Sequence, residues 1–494
     1  MQEFDVVLIG GGILTYTTAL TLLSLEPTIR IALIGGQSTA GMASAAAGAM
    51  LGCFGEVTQN TMRSHPGRIK HKLSVQAARL WPSWLNKINE AANRVDSAHE
   101  ELQIKPGTYV ILNAKSGKLD DENYSAIIKS LNEYQEPYNE VDSIQIPGFQ
   151  PIADCRPLKA VYIPNEGSVD PSNLLSSLRK IIISEKNCTI YDEDVVSIGR
   201  NSNSITYIKT NQGHDIKGKK YLIAAGAYSQ SLLNQISLGY LIPPIFAGLG
   251  VSLLVSQVNP PIEATIRTPN RAGACGLHAL PRSQTSLYLG ATNNLYLTPK
   301  HLPRLGHLTF LLQCAIEQVN QHLFGSQLLS HTVGNRPATF DTFPLIGKTS
   351  IDDLWLLSGT YRDGFFLSPI FSEIIANEML NKKSDSFVEY KIFRPERAPI
   401  QTMTKEEAIK DTVNQYMSGA YEHAMKLPRL GWDDMFEEML YTKIENVYRK
   451  LEADISIPAE IILMLEEEKE FTFLKNYIKN VSRFVSHKKE ELVC

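Results

Sequence analysis

Gly10-Gly11-Gly12 is the first group of residues in this chain whose types and spacing can do chemistry. A glycine triplet between an apolar run and a helix lets the backbone close on a pyrophosphate. Gly10 permits the tight turn, Gly12 lets the main chain approach, and the helix start at Ile13 offers positive partial charge. A second group follows at Ser44-Ala45-Ala46-Ala47-Gly48, with Met50 close behind. Side chains this small let backbone amides lie against a flat ligand or a phosphate. Read by themselves, the first group is a dinucleotide loop or a glycine-rich turn of another α/β protein, and the second a ligand-binding segment or a plain alanine-rich helix start.

The elements that must position them are legible nearby. Val6-Val7-Leu8-Ile9 is a continuous apolar run, as expected of a strand buried on both faces of a parallel sheet. A helix over Ile13 to Leu25 and a strand over Ile31 to Ile34 complete a βαβ unit. Two departures stand out. Thr15 occupies the third glycine position and is expected to loosen the contact of helix with strand. Ile34-Gly35-Gly36 ends the second strand without the acid that usually meets a ribose hydroxyl. Further along, Leu73 to Ile88 reads as a helix, residues 107–112 as a strand, and a helix begins near Ser368.

Bulk properties exclude several function classes. At 494 residues the chain should form two or three domains. A net charge of −4 gives no basic field for nucleic acid or an anionic membrane. The six cysteines include no CxxC pair, which argues against a metal site or a disulfide scaffold and suits a reducing, cytoplasmic setting. The apolar run from Val6 to Leu25 is not read as a signal peptide, because Glu3 and Asp5 precede it where a signal needs Lys or Arg. No other run is long and apolar enough to span a bilayer.

The segment from Gly41 to Leu51 resembles the FAD-dependent D-amino-acid oxidase superfamily, most closely its glycine oxidase branch. Further matches follow in the family's order: Gly167 to Pro171, Val195, Leu222 to Ser229, Leu280 to Arg282 with Leu287 to Thr292, Gly334-Asn335-Arg336-Pro337, Gly359 to Gly364, and Phe393 to Pro395. The resemblance covers about residues 4 to 397. It implies non-covalent FAD held by Gly10, Gly12, Ile13, Ser44, Ala45, Ala46, Ala47, Gly48, Met50, Val195, Ala225, Gly226, Gly364, Phe365, Phe366 and Leu367, with no metal. It also implies an α/β FAD-binding Rossmann-like domain (1–80, 160–240 and 336–400). This would be interleaved with an α+β substrate domain carrying a large sheet (81–159 and 241–335).

The implied reaction is oxidation of the amine of an amino acid. A hydride passes from Cα to flavin N5 and leaves an imine, and O2 then takes the electrons to give H2O2. Such chemistry needs placement, a dry pocket and a partner for the substrate carboxylate. Arg336 matches the family's carboxylate anchor, and a planar guanidinium suits bidentate binding. Arg362 matches a second arginine that either shares the carboxylate or braces its loop. His278 stands where the branch carries a tyrosine; it either hydrogen-bonds substrate or is a core histidine satisfied by backbone. Thr360 replaces a common histidine.

Residues 401–494 lie beyond the resemblance and read as a C-terminal helical extension. Thr404 with Glu407 forms a capping box, Met435 to Leu451 and Phe471 to Val485 carry helical apolar stripes, and Ser456 with Pro458 marks another start. This unit packs on the core, mediates a homo-oligomer, or covers the site. Two rival functions share the fold: a dehydrogenase passing electrons to a quinone or protein, and a biosynthetic oxidase for a larger or carrier-bound amine. A flavoprotein without catalysis is a third rival, against which Arg336 argues.

Overall fold

The computed structural model describes residues 3–36, 40–236, 241–382, 388–427 and 431–491. The opening βαβ unit forms as expected, with strand Glu3–Ile9 starting three residues before Val6, helix Ile13–Leu25 and strand Ile31–Ile34. The two strands pair in parallel, with Val6 opposite Ile31 and Ile9 opposite Ile34. They sit inside an eight-stranded sheet whose path runs Leu345–Lys348, Leu354–Ser358, Asp215–Ile223, Glu3–Ile9, Ile31–Ile34, Cys188–Tyr191. Both faces are covered, so every residue of Ile31–Ile34 and Leu354–Ser358 is buried.

Thr15, at the third glycine position, packs inside this unit. It is fully buried, and its hydroxyl donates to Ala224 O at 3.4 Å, at the end of the neighbouring strand. The helix thus meets the strand through a long hydrogen bond instead of the close backbone approach a glycine gives. The tight point is Gly10. Its φ is +139°, and a Cβ there would lie 2.4 Å from Ala224 O.

The second sheet has eleven strands. Its path begins at Gly41–Met42, passes through Leu328–Thr339, Ile245–Ser256, Ser286–Gly290, His278–Pro281, Thr265–Arg267, Lys105–Asn113 and Pro157–Ser168, and ends at Met50–Leu51. Its two terminal strands are therefore joined by residues 43–49 alone. The small-residue run spans the mouth of the sheet, which fixes it against both edges.

Helix His65–Val95 packs beside the first sheet with Trp81, Leu85 and Ile88 buried, and extends well past the expected Leu73 to Ile88. The tail forms helices Lys405–Glu422, Trp432–Leu451, Ala459–Leu463 and Glu468–Glu491, the first capped by Thr404 and Glu407 as its sequence predicts. Part of its apolar surface is covered by this same chain, while Trp432, Met435 and Met439 stay exposed. Leu440, Ile444, Tyr448, Ile461 and Ile478 share one core with Phe246, Phe340 and Tyr361 of the body. Arg271, 1% exposed, adds a polar tie: Nε lies 2.8 Å from Asp120 and Nη1 3.5 Å from Glu422 on the first tail helix. Among the described residues, no helix is long and apolar enough to cross a membrane.

Candidate active site

A cavity of about 570 Å³ lies between the two sheets. Its lining gathers Gly10, Gly12, Ile13, Ser44, Ala46, Ala47, Gly48, Met50, Val195, Ala225, Gly226, Gly364, Phe365 and Phe366, and with them Arg336, Arg362 and His278. Ala45 and Leu367 stand outside the lining. For Leu367 the reason is local: its N–H donates to Asp363 O at 2.8 Å to close the turn into helix Ser368–Met379, and its side chain is fully buried. That amide has no hydrogen left for a ligand.

The residues fit a dinucleotide. Helix Ile13–Leu25 has no acid in its first turn and no side-chain cap from Gly12, so ahead of Thr15, whose N–H donates to Gly12 O at 3.1 Å, its N-terminal amides are left largely to a ligand. The exception joins the two small-residue groups: Ile13 N–H donates to Ser44 Oγ at 3.1 Å. The alanine run is held from behind. Arg282 donates to the carbonyls of Ala47 and Gly48 at 3.1 and 3.0 Å, and the Tyr288 hydroxyl donates to Ala46 O at 3.0 Å. On the far wall, Trp81 fixes the loop after Gly364: its indole N–H donates to Phe366 O at 2.8 Å, and its ring lies parallel to Phe365. No group of His, Cys, Asp and Glu suited to a metal occurs among the described residues.

Arg336 lies on strand Leu328–Thr339. Its Nη1 donates to Thr292 O at 2.9 Å, and no carboxylate lies within ion-pair distance among the described residues. Gly250 on the adjacent strand makes room, since a Cβ there would lie 2.2 Å from Arg336 Nη1. Arg362 shares the cavity wall, with its guanidinium over the Tyr361 ring and Nη1 buried without a hydrogen-bond partner. Burial works against its charge, but Tyr361, Cys275, Glu56 and Glu460 hold its pKa above the ordinary value. His278 is buried, with Nδ1 3.2 Å from Gly276 O and its ring stacked on Tyr288. Backbone satisfaction and a place in the wall thus coexist, and an aromatic hydroxyl is supplied one strand over by Tyr288.

Three lining residues carry chemistry that the sequence reading missed. Cys275 is buried; burial raises its thiol, but a hydrogen bond with His278 and the charges of Arg336 and Arg362 bring it down to about 6. Glu56 is ion-paired to the buried Arg267; burial raises its carboxyl, and Arg267 with Arg362 holds it below the usual range. Asp194 stands beside Gly36. The signals available were thin: Cys275 and His278 three residues apart, and one acid in the apolar stretch from Leu51 to Val57.

Residues 5–378 match the profile described as DAO, FAD dependent oxidoreductase. The chain belongs to this family. FAD is therefore its cofactor, and the cradle just described fits it. Glycine oxidase of Geobacillus kaustophilus is 22% identical over 391 residues, 78% of this chain and 95% of that protein. The bifunctional protein ThiO/ThiG of Trichormus variabilis is 25% identical over 394 residues, again 78% of this chain; the match spans 54% of that protein, about half its length. The crystal structure of the Geobacillus kaustophilus enzyme superposes with a TM-score of 0.67 at 21% identity, covering 80% of this chain and 99% of that one. The FAD-binding fold with its large sheet is thus shared, while helices from Lys405 onward lie beyond the matched family region.

Proposed function

We propose that this oxidoreductase acts on the amine of an amino acid, in the manner of glycine and D-amino-acid oxidases. The observation that carries this reading is Arg336. It is a guanidinium on the wall of the cofactor cavity, held by the Thr292 carbonyl and, at 3.4 Å, by the Asn293 side chain, with no carboxylate of the protein within ion-pair distance among the described residues. A charge placed so is suited to a carboxylate brought by the substrate.

Bound FAD supplies the two-electron acceptor. The chain's residues do the rest. Arg336 takes the carboxylate, His278 and Tyr288 form an aromatic wall, and Phe365 and Phe366 exclude water. The substrate loses two electrons and two protons to become an imine, O2 accepts them as H2O2, and water hydrolyses the imine to a keto acid and ammonia.

The test is the absorbance of the purified holoenzyme under nitrogen with glycine, sarcosine and D- and L-amino acids. Bleaching by a member of the panel is expected. With that substrate, Arg336→Leu should raise KM about 100-fold, the scale of a lost charge-assisted pair. A spectrum that stays oxidised throughout, or an unchanged KM in the variant, would overturn the reading. Peroxide formed per turnover then identifies O2 as the acceptor.

A further inference from the structure

A dinucleotide-binding βαβ unit ordinarily ends its second strand with an acid that accepts from a ribose hydroxyl. Here that strand ends Ile34-Gly35-Gly36, and residues 35–40 contain no acid. The cavity nevertheless has a carboxylate at this place, and it comes from the neighbouring strand.

Strand Cys188–Tyr191 runs parallel to Ile31–Ile34, with Tyr191 opposite Ile34. Both strands therefore end on the same side, and the chain past Tyr191 enters the cavity beside Gly35 and Gly36. Three acids follow in succession, and two are already engaged. Asp192 is paired with Arg179 at 2.8 Å. Glu193 is buried and shares a 2.9 Å hydrogen bond with His214 Nδ1. Asp194 is different. Asn211 clamps its backbone, accepting from Asp194 N–H through the side chain at 3.2 Å and donating its own N–H to Asp194 O at 2.9 Å. The Asp194 carboxylate has no hydrogen bond or ion pair among the described residues, and it is exposed at the cavity mouth.

Gly36 is the complement of this arrangement. A Cβ at Gly36 would lie 3.1 Å from Asp194 Oδ1. A side chain at Gly36 would crowd the carboxylate arriving from the next strand. Gly36 therefore leaves room for Asp194 beside a strand end that carries no acid of its own.

We infer that Asp194 is the ribose-binding acid of this protein, accepting from the adenosine 2′-hydroxyl of FAD. A fixed backbone holds the carboxylate in position before the cofactor arrives, so little ordering is needed on binding. The inference rests on family membership and on the geometry beside Gly36, independently of which substrate is oxidised.

The test uses apo-protein titrated with FAD and with FAD lacking the adenosine 2′-hydroxyl, followed by flavin fluorescence. Asp194→Asn should weaken FAD binding about 10- to 100-fold, the range of a hydrogen bond to a charged acceptor. The deoxy analogue should cost the native protein a similar factor and cost Asp194→Asn little more, because the same contact is already lost. Asp194→Ala, with an unchanged apo-protein melting temperature, separates lost contact from lost fold. Equal penalties for the analogue in native protein and variants, or FAD binding by Asp194→Asn as tight as native, would overturn the assignment.

Discussion

The Glu166 carboxylate accepts the Gly55 N–H at 3.0 Å, and the same oxygen accepts the Phe54 N–H at 2.6 Å. A residue of the large sheet thereby sets the turn that delivers Glu56 to the cavity wall. Glu166 is 4% exposed, and its other oxygen is buried without a partner. Burial pushes its pKa up to about 7, against the backbone hydrogen bonds and Arg267.

The raised pKa has a sign that stability measurements can read. Between the ordinary value of 4.5 and about 7, the folded protein holds a proton that the unfolded chain has released. The stabilisation is complete below 4.5 and is lost as pH rises through about 7, on the order of 3 kcal/mol in all. Glu166→Gln should lack this component. Denaturant midpoints from pH 4.5 to 8 should therefore converge toward, or cross, those of the native protein as pH rises. Parallel curves would show that Glu166 does not titrate in this window.

Glu460 comes from the tail and contributes to the charge environment of Arg362. Its carboxyl is raised by burial, with Arg362 opposing. Removing this charge with Glu460→Gln leaves Arg362 less compensated. A carboxylate substrate or a competitive inhibitor such as acetate should then bind about 5-fold tighter, roughly 1 kcal/mol at a moderately screened site. Unchanged or weaker inhibition would mean that the tail does not tune the site.

Cys275 should be the reactive thiol among the described cysteines. Its pKa is drawn down to about 6, whereas burial raises those of Cys53, Cys155, Cys188 and Cys314. A small alkylating reagent at pH 7 should label Cys275 first, with protection by bound FAD, since it lines the same cavity. Labelling of another described cysteine ahead of it, located by peptide mass, would contradict this.

Arg271 ties the tail to the body through Asp120 and Glu422. Removing Arg271 leaves Asp120 and Glu422 buried without their cation, so Arg271→Met should cost about 3 kcal/mol. Chemical denaturation measures this directly. A loss under about 0.5 kcal/mol, the scale of ordinary surface substitutions, would show the tie to be energetically idle.

Much of this protein was legible in its residues. The glycine turn, the apolar strands on either side of helix Ile13–Leu25, and the capping box at Thr404 are local signals, and they specify local structure because only neighbours in sequence are involved. The resemblance carried Arg336, Arg362 and His278 to one site, and the fold places all three on one cavity wall. What the residues alone did not decide depends on strand order. Thr15 could be read only as a replaced glycine, because its partner, Ala224, is remote in sequence and meets it only across adjacent strands. The missing acid after Ile34 is matched by Asp194 because Cys188–Tyr191 pairs beside Ile31–Ile34. The tail could be read as helical from its periodicity, but its packing against Phe246 and Phe340, and the approach of Glu460 to Arg362, follow from long-range burial that no local pattern encodes.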